Sequence, residues 1–368
     1  MRADLDAPSG ETTAAARLDR AIVAIAGGAA ELDRSPRFPR EALYLLGDAG
    51  ALKLTLGDAC AAASVRPGWD LLRRVAAADG SVGRILDGHL NAVERLEVAA
   101  DPEVRERELA AVAAGERLLG VWGADPGPGE GKPARLGEGG GGPVLNGAKT
   151  FCSGAGGVDA ALVMVGDDGG AAPSLVLVDC GEAVEIDRRW YRAAGLRASE
   201  SHRVVFHDAP VAAVLGGPGE LARDPWFSRD AMRTAAMWAG LVDAAVGAAL
   251  DELAGRRAEE PLAQLAAGRI EAASGTVAAW LERAAEVADA SLTPGSGPAP
   301  RATGIAMRAE IDRAAKAILE VAAAACGSHP FVTGGPLDRA RRDLETFLLQ
   351  HRLEPLLTKL GSESLGRR

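Results

Sequence analysis

The sequence predicts a mostly α, α+β protein: an N-terminal helical domain, a small central β-barrel domain and a C-terminal antiparallel helical bundle. Three observations predict it. Apolar residues recur at helical spacing up to residue 116. Between Leu118 and Leu215 the period shortens to that of strands, in short apolar runs bounded by Gly, Asp and Pro. From Trp226 onward, long Ala- and Leu-rich stripes return with Glu and Arg opposite them. The boundaries that follow are residues 1–116, 117–222 and 223–368.

The elements follow in order. Leu18, Ile22, Val23, Ile25 and Ala26 mark a first helix, and the stretch from Asp33 to Pro39 ends it. Pro39 opens a second helix, because proline suits a first turn. Trp69 to Ala78 gives a third, Asp79-Gly80-Ser81 a break, and Val82 to Leu96 a fourth, on which His89 reads as a packed helix histidine. Short strands are expected at Leu118–Val121, Ala161–Val165, Ser174–Val178 and His202–His207. Asn146-Gly147 reads as a hairpin turn between Val144-Leu145 and a strand from Lys149 to Ser153, and the glycines from 137 to 142 as a mobile loop. His202 and His207 read as exposed barrel residues. Helices are expected from Ala231 to Leu253, Leu262 to Leu292 and Ile305 to Cys326, with one or two more between Leu337 and Leu360.

Composition narrows the function. The chain has 368 residues, enough for two or three domains, and a net charge of −10, which disfavours nucleic acid as a partner. Its four cysteines lack metal-ligand spacing, so no metal is expected and the thiols read as reduced. No leader and no apolar run of membrane-spanning length is signalled, which points to a cytoplasmic protein. The ends of two strands, at Trp122–Pro126 and at Phe151–Ser153, flank a long Gly/Pro loop. Such a site suits a flat ring system held by backbone N–H groups and the Ser153 hydroxyl.

This order of domains, with the residues at its joints, resembles the FAD-dependent acyl-CoA dehydrogenase superfamily over nearly the whole chain. Asp79-Gly80-Ser81 with His89 resembles its N-terminal helical segment, and Trp122-Gly-Ala-Asp-Pro126 its T-E-P strand end. Asn146-Gly-x-Lys-x-Phe-x-Ser153 resembles N-G-x-K-x-W-I-T, and Gly195-Leu-Arg-Ala-Ser-Glu-Ser201, through Phe206 to Val211, the G-x-R-x-S…F-x-D-V-x-V segment. Arg339-x-x-Arg342-Asp343 resembles R-x-x-R-D.

The resemblance implies FAD between barrel and bundle, with Phe151 packing on the isoalloxazine and Ser153 bonding the ring. It places Trp122, Ala124, Arg256 and Gly327 at cofactor positions, and Glu130 and His329 at the substrate cavity. The departures are as informative. The family's catalytic glutamate, eight residues beyond the motif aspartate, becomes His351, with Glu354 the next candidate. Its Phe-Gly pair at a neighbouring subunit's FAD becomes Glu259-Glu260, and a glutamine near the same cofactor becomes Ala324. An imidazole with an ordinary pKa near ~6.5 can take a proton close to neutral pH.

The main expectation is α,β-dehydrogenation of an acyl thioester, with an electron-transfer flavoprotein as acceptor and His351 as the base. A reduced-flavin monooxygenase for an aromatic substrate, fed by a flavin reductase, is the alternative, and a catalytically silent scaffold the third reading. The long C-terminal helices imply a homodimer or homotetramer.

Overall fold

The structure is a computed structural model that describes residues 13–54, 64–166, 172–292, 300–350 and 352–366. Helices α1 (Ala14–Arg34), α2 (Arg40–Asp48), α3 (Arg66–Ala78), α4 (Gly80–Ala99) and α5 (Pro102–Ala114) come first. The break expected after α3 narrows to one residue. Asp79 is extended and its carboxylate accepts from Val82 N at 3.0 Å, so it caps α4 without a loop.

Among the described residues seven strands follow: β1 (Leu119–Trp122), β2 (Arg135–Gly139), β3 (Gly142–Cys152), β4 (Ala160–Val165), β5 (Ser174–Asp179), β6 (Val184–Asp187) and β7 (His202–Leu215). They pair in the order β1-β4-β5-β7-β3-β2, with β6 also on β7; β1 and β4 run parallel and the other pairs antiparallel. The 14-residue β7 binds the sheet into a half-barrel, pairing with β3 and β6 at its first half and with β5 at its second.

Two expectations fail here. Asn146-Gly147 is not a hairpin turn: β3 runs straight through it, and the tight turn is at Gly139–Gly142, inside the stretch read as a mobile loop. The positive φ that Asn-Gly supplies is spent on a bulge, since the β3–β7 register shifts between Leu145 and Gly147. Asn146 clamps it from both sides, donating to Asp208 Oδ1 at 2.7 Å and accepting from Asp208 N at 2.9 Å. A Cβ on Gly147 would fall onto the Pro133 carbonyl oxygen. The second failure is His202, which is 7% exposed, because β7 begins under the Arg188–Glu200 pair; His207 is exposed as expected.

The bundle comprises α6 (Trp226–Arg257), α7 (Pro261–Ala290), α8 (Pro300–Cys326), the single turn α9 (His329–Val332), α10 (Pro336–Leu348) and α11 (Glu354–Gly366). One apolar core runs from Ile25 through α3 and α4 into α6, α7, α8 and α10, so the first and last helical segments pack as one body. The barrel has a core of its own around Trp122, Val163, Val176 and Phe206.

The three parts meet at Gly195-Leu196. Gly195 N donates to Thr346 Oγ1 at 3.1 Å and Leu196 N to Asp343 Oδ1 at 2.5 Å. Arg342 bridges Asp33 of α1, Asp338 and the Ala194 carbonyl. Burial pushes the Asp343 carboxyl up to about 7 and that of neighbouring Asp79 up to about 6. A carboxyl whose folded pKa is raised contributes stability at low pH and loses it as pH rises from its unfolded value, near ~3.9, through the folded one. Asp343→Asn keeps the acceptor for Leu196 N but removes the titration. It should therefore be more stable than the parent at pH 8, with a smaller gain at pH 5 and none below about pH 4, the unfolded value. Urea midpoints at pH 8 and pH 5 measure this, and a gain that does not fall with pH would contradict it.

Candidate active site

The two strand ends singled out in the sequence lie side by side. Thr150 N donates to the Ala124 carbonyl at 3.0 Å and Thr150 Oγ1 to the Asp125 carbonyl at 3.1 Å. The Lys149 ammonium, 2% exposed, reaches Gly123 O at 3.1 Å and Asp125 Oδ1 at 2.7 Å. This buried lysine ties the β1 end to the β3 end, which gives the Lys of the N-G-x-K segment a physical reason. Trp122 ties them a third time: its indole N–H donates to the Ser153 carbonyl at 3.1 Å. The Trp122 ring itself is buried in the barrel core, 6.4 Å from Phe206, so it supports the site from beneath.

Phe151 is the exposed feature of this platform. It has φ +52, a region bulky L-residues avoid, and its side chain is 52% exposed. Strain of this kind persists where the surroundings impose it, and it clusters at functional sites. Here the β3–β7 register shift between Lys149 and Cys152 imposes it. Trp190 holds the ring edge-on at 4.8 Å and 84°, leaving its other side open.

The Trp190 indole N–H donates to Glu130 Oε1 at 2.7 Å, and Gly127 N donates to Glu130 Oε2 at 2.8 Å. These two donors, Trp190 first, hold the Glu130 carboxyl below the usual range, so it stays charged at neutral pH. Ser153 is buried, with its hydroxyl 2.8 Å from that of Ser201, which is 2.8 Å from that of Ser199.

Trp122, Ala124, Glu130, Phe151 and Ser153 are thus brought together. Gly327 follows α8 with φ +72, and His329 opens the turn after it. The backbone of Arg256 lies near the end of α6, and Glu260 there pairs with Arg257 at 3.0 Å. His351 lies outside the described residues. On α10, Phe347 stands edge-on to Trp238 at 6.1 Å with the Arg84 guanidinium over its ring. His89 is fully buried, with Nδ1 accepting from Leu119 N and Nε2 facing the Leu52 carbonyl; burial pushes its pKa down to about 4, and it stays neutral as a packed residue. Among the described residues no His/Cys/Asp/Glu cluster could hold a metal, and no helix is long and apolar enough to cross a membrane.

Sequence reading missed Trp190 and Tyr191, and took Ser199 and Ser201 only as part of the G-x-R-x-S segment, not as partners of Ser153. A signal existed for the aromatics, since Trp190-Tyr191 stand adjacent in a chain with 4% aromatics. The serines alternate around Glu200, whose positive φ turns both hydroxyls to one side; nothing in the sequence announces that turn.

No family model matches the sequence. The dibenzothiophene monooxygenase of Rhodococcus erythropolis is 32% identical over 158 residues, 40% of this chain and only 38% of that protein's length. Among solved structures, FMN-bound TdsC from Paenibacillus sp. A11-2 superposes with a TM-score of 0.84 at 18% identity, covering 96% of this chain and 98% of that one. The nitrososynthase of Micromonospora carbonacea var. africana superposes at 0.79 with 25% identity over 100% of both chains. The chain therefore has the acyl-CoA dehydrogenase-like fold that the sequence resemblance implied, and shares it with these solved structures.

Proposed function

We propose that this protein is a flavin-dependent monooxygenase that takes FMN in reduced form from a separate flavin reductase and oxygenates a small organic substrate. The observation that carries the reading is the strained, half-exposed Phe151 beside Ser153 at the joined strand ends. An apolar ring face and a hydroxyl at its edge are what an isoalloxazine requires of a protein surface.

FMN rather than FAD is supported by the far end of α6. Where the resemblance expects contacts to an adenosine diphosphate half, the chain has Glu259-Glu260, whose charge repels a diphosphate. FMN lacks that half and needs no such contact. The likeness to oxygenases supports oxygen insertion over thioester dehydrogenation. So does Glu130, a fixed negative charge at the position implied for a substrate-contacting serine.

When bound, reduced flavin supplies two electrons to O2, one oxygen atom entering the substrate and the other leaving as water. The chain's residues do the rest. Phe151 gives the ring an apolar support, Ser153 a hydrogen bond at its edge, and Trp190 fixes both Phe151 and Glu130. His351 keeps its proposed role of proton transfer on the opposite side of the cavity, with Glu354, the first residue of α11, as the next candidate. A homodimer or homotetramer is supported by α11, which buries none of its residues and exposes Leu357 and Leu365.

The test supplies FMN, NADH, a flavin reductase and 18O2 to the protein with a panel of sulfur heterocycles, indoles, alkylsulfinates and amino sugars. Incorporation of one labelled atom into a panel member is expected, and Ser153→Ala should weaken FMN binding about tenfold, the loss of one good hydrogen bond. Anaerobic bleaching of bound flavin by an acyl-CoA, with no labelled product, would replace this reading by the dehydrogenase one.

A further inference from the structure

We propose that Arg308, with Arg301 beside it, holds one small monoanionic group, a carboxylate or an ion of similar size, in a cavity between α6, α8 and α11. Neither flavin nor oxygen chemistry enters into this site, so it stands or falls apart from the function proposed above.

The observation that carries it is a buried charge without a counter-charge. Arg308, in the third turn of α8, is 3% exposed, and its Nε and Nη2 find no hydrogen-bond partner among the described residues. Its guanidinium lies over the ring of the fully buried Trp238, 5.2 Å from the centroid. A ring face attracts the cation but leaves the in-plane N–H groups unmatched. Burial, opposed by no carboxylate, pushes the Arg308 pKa down to about 10.

The acids nearest in sequence are engaged elsewhere. On α8, Glu310 pairs with Arg313 and Asp312 with Lys316. Asp224 accepts from Ser228 Oγ, and Asp230 pairs with Arg95 and Arg233. Arg95, Arg229 and Arg233 are buried as well, and each has a carboxylate. An unpaired buried charge is strongly unfavourable, so keeping one implies a partner that arrives from outside.

The two unmatched nitrogens define that partner. Nε and Nη2 form one edge of the guanidinium, the edge that grips two carboxylate oxygens at once. Arg73 uses the same edge on Asp243, at 2.5 Å from Nε and 2.8 Å from Nη2. The cavity against Arg308 is about 10 Å3, room for one water-sized group. Ser228, Ala231, Arg301, Ile305 and Leu356 line it with no acid among them, and Phe227, 44% exposed, brings the lining to the surface. Arg301 adds positive charge in the first turn of α8, which holds no acid; that end of a helix favours anions.

Urea midpoints of the parent, Arg308→Met and Arg308→Lys in rising sodium formate test the site, since salt effects common to all three cancel in the differences. The parent's folding constant should rise about tenfold by ~0.2 M formate, as a ligand with a Kd near ~20 mM requires. Arg308→Met should show no such rise. Without formate it should be at least as stable as the parent, because it keeps the packing on Trp238 and drops the charge. Arg308→Lys keeps the charge but loses the fork, and should respond more weakly than the parent. Independently of any variant, the chloride NMR line should broaden in the presence of the parent, and formate should narrow it by displacement. A series from formate through acetate to butyrate separates the sources of the ligand. Affinity that falls along it assigns a free ion; affinity that holds or rises assigns the acid group of a longer molecule lying on Phe227 and Leu356.

An equal formate response in the parent and Arg308→Met overturns the site. So does a parent that formate fails to stabilise, or a chloride line that formate leaves unchanged. An Arg308→Met protein less stable than the parent without formate also overturns it, and reassigns the guanidinium to packing on Trp238.

Discussion

Gly195→Ala should destabilise the protein by about 3–5 kcal/mol, near the top of what one substitution does. A Cβ at this position would fall onto the Arg342 carbonyl oxygen and lie 2.5 Å from Asp343 N. Both atoms belong to the α10 backbone, which cannot turn aside as a side chain can. Relief requires the loop to back away from the helix. That would break Gly195 N–Thr346 Oγ1, Leu196 N–Asp343 Oδ1 and the Arg342 hold on the Ala194 carbonyl together. The φ of Gly195 is not in the left-handed region, so the cost is one of space. Gly255→Ala is the control: it lies inside α6 with nothing within 4 Å of a built Cβ, and it should gain about 0.5–1 kcal/mol from helix propensity. Urea unfolding of the pair measures the contrast, and equal midpoints would show that the loop yields freely.

This joint shows which parts of the sequence were legible. Gly195-x-Arg197 and Arg342-Asp343 were recognisable as separate segments, but their spacing along the chain, 147 residues between Leu196 and Asp343, says nothing of contact. Arg197 reaches the Asp33 carbonyl and Arg342 its carboxylate, so both segments close on the end of α1. Their shared role is architectural: they lock helices, barrel and bundle around the site. Helices were legible because apolar periodicity over many residues is a strong signal, and even the ends of α6 and α7 fell within a few residues of expectation.

The strands were legible as elements and less so as a sheet. Asn146-Gly147 offered positive φ, and local sequence does not distinguish a turn from a bulge that uses the same dihedral. What decided it was Asp208, 62 residues away, bonding back to Asn146. The site divides the same way. Trp122, Phe151 and Ser153 could be placed together because each ends a strand. The support from Trp190 and the serine chain depends on tertiary turns at Leu196 and Glu200, both left-handed and neither a glycine. Residues of that kind are chosen by their surroundings, so single-sequence reading passes over them.

The charged seam between α4 and α6 was not legible at all, and it carries the second large effect. Four guanidiniums, of Arg84, Arg95, Arg229 and Arg233, meet three carboxylates, of Asp87, Glu94 and Asp230. Arg233 touches all three acids; burial works against its charge, but Asp230, Asp87 and Glu94 outweigh that and raise its pKa. Asp87, 2% exposed, takes Arg84 at 2.7 Å and Arg233 at 3.0 Å. Asp87→Asn keeps the shape and removes the charge, leaving four buried or nearly buried cations against two acids. The expected cost is about 3–5 kcal/mol, the range for breaking a buried pair from one side. Removing the surplus cation should return part of it. Asp87→Asn combined with Arg233→Met should therefore lose less than the sum of the single losses, by at least about 1 kcal/mol, because neighbours in one ionic network do not add. Denaturant unfolding of the four proteins closes the cycle. Strict additivity would mean that Arg233 draws its stability from Glu94 and Asp230 alone, with the Asp87 contact contributing nothing.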